Sequence, residues 1–128
     1  MTSKPVALGL ILCDYLSVEE GTRKVSLAGT FGTIRVDRFP AIARPFYAYS
    51  VLTDGMGTGM VSLEVTRLDT GLTVYSQQNQ LTFADRLAEA QLIFHVNQLM
   101  LPAAGWYQFA LLVDGEWTAQ RRIRVHLP

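Results

Sequence analysis

The sequence is poor in residues that bind metals or form crosslinks, with one cysteine, Cys13, and two histidines, His95 and His126. A single cysteine excludes an internal disulfide. Its apolar surroundings predict a small buried side chain, because reactive thiols occupy accessible, electropositive sites. No Cys/His cluster with zinc-site spacing is present, although a site built from histidine and carboxylates of separate strands would leave no such signal. The sequence therefore predicts no metal and no other cofactor.

Charge is also scarce and balanced. Charged residues make up 17% of the chain, and 11 basic and 11 acidic side chains give a formal net charge of zero. With 49% hydrophobic residues, the composition is that of a folded domain rather than a disordered chain. Zero net charge provides no long-range field to attract nucleic acid or an anionic membrane, so we expect neither as a partner. It also leaves self-association unopposed by repulsion between copies, which favours a homo-oligomer.

Long apolar runs are absent as well. None approaches the roughly 20 residues that a membrane-spanning helix requires. The segment from Met1 to Cys13, with Lys4 followed by an apolar run, resembles a signal peptide or a lipoprotein cleavage site, but Leu12 is too large for the small residue that cleavage needs beside the cut. We therefore expect no cleaved leader and a cytoplasmic protein.

What the sequence does contain is a series of short segments that alternate between apolar and polar residues and are separated by turn residues. No long helical period interrupts them. The pattern predicts an all-β fold, an antiparallel β-sandwich of immunoglobulin-like or jelly-roll-like type, as a single domain over residues 1–128. The eight predicted strands are Val6–Leu16, Val25–Thr33, Phe46–Leu52, one around Val61–Thr66, Leu72–Gln78, Ala90–Leu99, and the two strands of a hairpin within Gly105–Pro128.

The first predicted strand is unusual because it is apolar at both alternating positions, which predicts burial on both faces. We expect a loop or another copy of the chain to cover its outer face. Asp14 interrupts this apolar pattern. It is either a carboxylate in a pocket or a residue at the strand end that faces water or a backbone donor.

The C-terminal hairpin permits a prediction of register. A two-residue turn at Asp114-Gly115 would mix the polar and apolar sides of its two strands. A three-residue loop that adds Glu116 keeps the two sides separate, and we predict that loop. Its apolar cross-strand pairs are Tyr107 with Ile123, Leu111 with Ala119, and Val113 with Trp117.

The same register predicts a candidate binding face on the other side of the hairpin, where Trp106 lies opposite Arg124 and Gln108 lies opposite Arg122. A basic strip with an aromatic side chain is suited to an acidic peptide, a sugar acid or nucleic acid. The alternative is a solvated strand whose arginines discourage edge-to-edge aggregation.

Asp69-Thr70-Gly71 resembles the active-site triplet of retroviral-type aspartic proteases, in which two aspartates of a homodimer share a proton. Leu72 follows where those proteases carry a small residue, and a simple β-turn accounts for the same residues. No Gly-x-Ser-x-Gly nucleophile is present either. We predict no catalytic residue. The alternatives are a homodimeric aspartic protease and a carbohydrate-binding module that uses Trp106 or Tyr75.

Four strand and turn motifs follow one another along the chain: Leu12-Cys13-Asp14-Tyr15, Val25-Ser26-Leu27-Ala28-Gly29-Thr30-Phe31, Phe39-Pro40-Ala41, and Gly105-x-Tyr107-x-Phe109 before Asp114-Gly115. Together they resemble a family of small bacterial β-proteins catalogued as a domain of unknown function. The resemblance spans most of the chain, implies a sandwich fold and implies no catalytic residue. We therefore expect a non-catalytic binding or assembly module whose partner is another protein or a second copy.

Overall fold

The structure is a computed structural model that describes residues 4–128, and it contains twelve β-strands. The strands are β1 (Val6–Ala7), β2 (Ile11–Val18), β3 (Val25–Thr30), β4 (Thr33–Arg35), β5 (Ala41–Ile42), β6 (Phe46–Thr53), β7 (Gly57–Arg67), β8 (Thr73–Phe83), β9 (Ala90–Val96), β10 (Met100–Leu101), β11 (Gly105–Val113) and β12 (Glu116–His126).

The predicted number of eight strands is wrong because two predicted strands are divided and two connections contain strands of their own. The first predicted strand is divided into β1 and β2 near Gly9, whose φ of +88° interrupts the extended backbone. The second ends at Thr30, and β4 follows as a separate strand. The short strands β5 and β10 lie between the predicted strands and pair with each other.

Two larger sheets form an antiparallel β-sandwich, as predicted. The first sheet contains β3, β2, β6 and β9, and β1 continues the line of β2 along the same edge of β6. The second sheet has the order β4-β12-β11-β7-β8. Every strand pair in the two sheets is antiparallel except β4 with β12, which is parallel. This exception matters for the candidate site.

The core lies between the facing sheets and follows the alternation of their strands. In β6, the inward residues Phe46, Ala48, Ser50 and Leu52 are buried, and the residues between them are half-buried. The largest fully buried side chains are Tyr107, Phe94, Phe109, Leu12, Leu52, Leu63, Leu99, Leu101, Leu111, Ile123, Val61 and Val65.

Burial of the first predicted strand on both faces is correct only for its middle. Leu12 and Cys13, which are neighbours on opposite faces of β2, are both 0% exposed. By contrast, Val6 and Leu8 near the start of the segment are half exposed. On the outer side of this sheet, the hairpin of β2 and β3 reaches β9, where Gln91 Nε2 donates a hydrogen bond to the Arg23 carbonyl at 3.3 Å.

The closing hairpin has the predicted faces but not the predicted loop. Its turn has two residues, Asp114 and Gly115, with φ values of +50° and +83°, as in a type I′ turn. An extra residue in β12, Thr118, forms a bulge, and beyond the bulge the cross-strand pairs follow the predicted register. The pairs Tyr107 with Ile123 and Leu111 with Ala119 are confirmed, whereas Val113 pairs with Glu116 and Trp117 pairs with Leu112. The bulge therefore moves Trp117 to the outer face.

Candidate binding face

The outer face of the second sheet carries the four residues predicted to bind a partner. In the register of β11 with β12, Trp106 pairs with Arg124 and Gln108 pairs with Arg122. Cross-strand partners project to the same side of a sheet. The structure therefore brings all four residues together, and their role in binding stays a prediction.

The four residues differ in accessibility. Trp106 is 53% exposed, and Arg122 and Arg124 are also exposed. Gln108 is only 6% exposed, and its Nε2 donates a hydrogen bond to Gln120 Oε1 at 2.7 Å. Because Gln108 lies on the central strand β11 and is nearly buried, the other three residues form the part that a partner can reach.

The parallel pairing of β4 with β12 adds an arginine that the sequence did not indicate. Thr33 pairs with Arg124, and Arg35 pairs with His126, so Arg35 projects to the same side as Arg122 and Arg124. No local sequence signal could have found Arg35, because this pairing joins distant parts of the chain. We call Arg35, Arg122, Arg124 and Trp106 together the arginine face.

The arginines of this face are free of ion pairs within residues 4–128. The ion pairs in that part of the chain join Lys4 to Glu116 at 3.6 Å and Arg67 to Asp69 at 2.9 Å. A guanidinium group has five N–H donors in a planar arrangement and remains charged at neutral pH. The arginine face therefore presents unneutralised positive charge on a chain that is neutral as a whole.

Beside the arginine face lies a cleft of about 630 Å³, and Arg35 belongs to both. Arg38 and Arg44 also line the cleft. So do Phe31 and Phe46, whose rings meet edge to face with centroids 5.3 Å apart. The cleft thus combines apolar surface with three arginines and two aspartates.

Asp14 also lines this cleft and is exposed to solvent, so it is a carboxylate in a pocket that faces water. Gly29 lies directly beside it with a φ of +69°, and a Cβ atom at Gly29 would lie 2.9 Å from Asp14 Oδ2. Both the positive φ and the close carboxylate favour glycine at position 29.

Cys13 is completely buried, which confirms its prediction as a small buried side chain. Burial raises the pKa of its thiol above the ordinary value, and the neighbouring charge of Asp14 raises it further. The thiol is therefore protonated and inaccessible at neutral pH, a setting unsuited to nucleophilic chemistry.

The triplet Asp69-Thr70-Gly71 forms the exposed turn between β7 and β8. Arg67 Nη2 donates to Asp69 Oδ2 at 2.9 Å, and the Leu72 N–H donates to Thr70 Oγ1 at 3.2 Å. Gly71 has a φ of +73°. These contacts are those of a self-contained turn, so the geometry favours the β-turn interpretation over a catalytic one.

Residues 4–128 contain no cluster of three or more His, Cys, Asp or Glu side chains able to hold a metal ion. No helix among them has the length and apolar character needed to cross a bilayer.

Comparison with curated proteins gives no match to the chain. A family model does match residues 8–126, which confirms the resemblance drawn from the strand and turn motifs. The chain belongs to DUF6941, a family of unknown function.

Proposed function

We propose that this protein is a non-catalytic binding module that holds an extended acidic segment of a partner protein on the arginine face. One observation carries the proposal: Arg35, Arg122 and Arg124 project from adjacent strands beside an exposed indole, with no ion pair to neutralise them within residues 4–128.

The spacing of the arginines favours an extended peptide. Arg122 and Arg124 are alternate residues of one strand, so their Cα atoms are separated by about 6.5–7 Å. Carboxylates at alternate positions of an extended peptide have the same spacing. Because each guanidinium can bind a carboxylate through two parallel hydrogen bonds, a peptide lying along β12 could satisfy both arginines together.

Apolar surface beside the arginines favours a protein partner. The indole of Trp106 is 53% exposed. Leu68, whose N–H donates to the Trp106 carbonyl at 3.0 Å, is also exposed. Exposed tryptophan and arginine side chains are typical of the residues that dominate protein interfaces. Zero net charge over the whole chain argues against a polyanion held by electrostatics alone.

The test is fluorescence anisotropy with labelled peptides that carry Asp or Glu at alternate positions. Arg122→Gln together with Arg124→Gln should weaken binding by at least about tenfold, because hydrogen bonds to charged groups contribute roughly 1.5–3 kcal/mol each. The control, Lys24→Gln with Arg86→Gln, removes two exposed positive charges away from the face. Equal losses in both variants, or tighter binding of single-stranded DNA than of any peptide, would contradict the proposal.

A second candidate function rests on Trp117. It lies on the same outer face as Trp106 and is 57% exposed. Trp117 pairs with Leu112, which is six residues from Trp106, so the backbone positions of the two tryptophans are about 20 Å apart along the strand direction. Between the two tryptophans, β11 has no exposed side chain on this face, since Gln108 and Ala110 are buried. A surface with an exposed indole at each end suits a carbohydrate chain, whose sugar rings stack on aromatic faces.

The two functions respond differently to one substitution. If the face binds carbohydrate, Trp117→Ala should abolish the change in tryptophan fluorescence on titration with soluble polysaccharides. If the face binds acidic peptide at the arginines, the same substitution should leave peptide affinity unchanged, because Trp117 lies at the start of β12, away from Arg122 and Arg124.

A further inference from the structure

We propose that two copies of this chain form a dimer by pairing their β8 strands antiparallel about a two-fold axis. The pairing would join the second sheets of both copies into one continuous sheet. β8 is the last strand of that sheet and pairs only with β7 within residues 4–128. Its other edge therefore presents backbone donors and acceptors without a partner strand in that part of the chain.

The composition of β8 is unusual for an exposed edge. All 11 residues from Thr73 to Phe83 are uncharged, and none is proline or glycine. Exposed edges are ordinarily protected by charge, proline or short length, since an open edge pairs readily with another strand. The other edge strand of this sheet, β4, has such protection, because it is three residues long and contains Arg35.

The pairing surface is also regular. A bulge at Val74 interrupts the ladder between β7 and β8, but from Tyr75 to Phe83 the two strands pair without a shift. This leaves nine consecutive residues, about 30 Å of uninterrupted edge. Such a length exceeds the five or six residues of a typical strand.

The lack of charge favours a second copy as the occupant. A two-fold axis places every residue of β8 opposite a residue of the same strand, so any charge there would meet a like charge. In the register centred on Asn79, Gln78 lies opposite Gln80, and Ser76 lies opposite Thr82. These four side chains are exposed and can both donate and accept hydrogen bonds. The zero net charge of the chain adds no repulsion between copies.

The dimer would leave the arginine face free. β8 and β4 lie at opposite edges of the second sheet, so the arginine faces of both copies would be separate and would point to the same side of the joined sheet. The dimer is thus independent of the proposed peptide binding, and either proposal can fail without the other.

The test is the solution mass from sedimentation equilibrium, with 14.2 kDa expected for a monomer and twice that for the dimer. Gln78→Lys with Gln80→Lys places lysines opposite each other and should weaken dimerisation by about tenfold or more. Mixing this variant with Gln78→Glu and Gln80→Glu should restore a dimer of unlike chains. Ser26→Lys, a matched lysine on the exposed edge strand β3, should leave the dimer intact.

A monomeric wild type at every soluble concentration would overturn the proposal, as would a lysine variant that keeps the dimer mass. Equal dissociation by Ser26→Lys would do the same. Amide hydrogen exchange of the wild type decides the question if the lysine variant does not fold. Protection of β8 that falls on dilution supports the pairing, and protection that is independent of concentration overturns it.

Discussion

At the scale of single residues, Gly29 is a strand position that favours glycine for two separate reasons. It has a φ of +69°, and a Cβ atom there would lie 2.9 Å from Asp14 Oδ2. Gly71 has nearly the same backbone, with a φ of +73°, but nothing lies within 4 Å of the position its Cβ would take. Substitutions at the two glycines can therefore separate the cost of a strained backbone from the cost of a steric clash.

We predict that Gly71→Ala lowers the free energy of unfolding by about 1–2 kcal/mol, the cost of a left-handed backbone in a residue with a Cβ atom. Gly29→Ala should cost more, because Asp14 must also move. Urea denaturation of both variants measures the difference. Equal losses would mean that the Asp14 side chain moves aside freely.

Cys13 provides a prediction of pH dependence. Its thiol pKa is raised first by burial and second by Asp14, so the folded protein keeps the thiol protonated to higher pH than the unfolded chain does. The stability that the neutral thiol contributes is complete below the pKa of the unfolded thiol, and it is lost as pH rises through the folded pKa.

Relative to Cys13→Ala, the wild type should therefore lose stability more steeply at alkaline pH, while the difference between the two proteins stays constant near neutrality. Urea denaturation across this pH range gives the measurement. Parallel curves for the two proteins at alkaline pH would refute the assignment. As a control, a thiol reagent should modify Cys13 only after unfolding, since the side chain is 0% exposed.

At the scale of elements, Ser50 holds the break between β1 and β2 against β6. Its side chain is buried, and its Oγ donates a hydrogen bond to the Gly9 carbonyl at 2.6 Å. Next to this contact, the Leu8 N–H donates to the Val51 carbonyl at 2.8 Å. Together the two hydrogen bonds hold the chain against β6 at the interruption near Gly9. As a result, β1 and β2 pair with the same edge of β6.

We predict that Ser50→Ala lowers the free energy of unfolding by about 1 kcal/mol, the usual net contribution of one buried hydrogen bond. It should also increase amide exchange in β1, because that strand is only two residues long and depends on its junction with β2. Ser17→Ala, at an exposed position of β2, is the control. An unchanged exchange rate in β1 would show that Ser50 does not hold this junction.

The closing hairpin shows how far local pattern predicts an element. Alternation correctly assigned Tyr107 and Ile123 to the core face and Trp106 and Arg124 to the other. The loop length was wrong, because a two-residue turn combined with a bulge at Thr118 separates the two faces as well as a three-residue loop does. Beyond the bulge, face assignment depends on the total number of unpaired residues, which is three in both arrangements: a three-residue loop, or a two-residue turn with one bulge residue.

At the scale of the whole molecule, the two proposals together predict avidity. The dimer would present two arginine faces on one side of a continuous sheet, so a peptide with two acidic segments joined by a flexible linker could engage both. Such a peptide should bind the wild type at least about tenfold more tightly than a single segment, because the second contact becomes intramolecular.

This gain should disappear in the variant with Gln78→Lys and Gln80→Lys, while affinity for the single segment stays unchanged. Titration of both peptides against both proteins by fluorescence anisotropy makes the comparison. A gain that persists in the lysine variant would mean that the two segments bind within one copy.

The all-β class, the sandwich and the two sides of the closing hairpin were determined by the sequence alone, because alternation with a period of two is a local property that each strand carries in itself. Local pattern also placed Trp106, Arg122 and Arg124 on one surface. These predictions needed only the positions of residues along neighbouring segments.

Only the tertiary structure decided the rest. The burial of Gln108, the arrival of Arg35 on the arginine face and the position of β8 at an open edge all depend on the order of strands in the second sheet. Strand order is set by packing between distant parts of the chain, and β4 with β12 is a parallel pair that no local turn connects. Alternation predicts which side a residue faces, but the neighbours on that side depend on long-range packing.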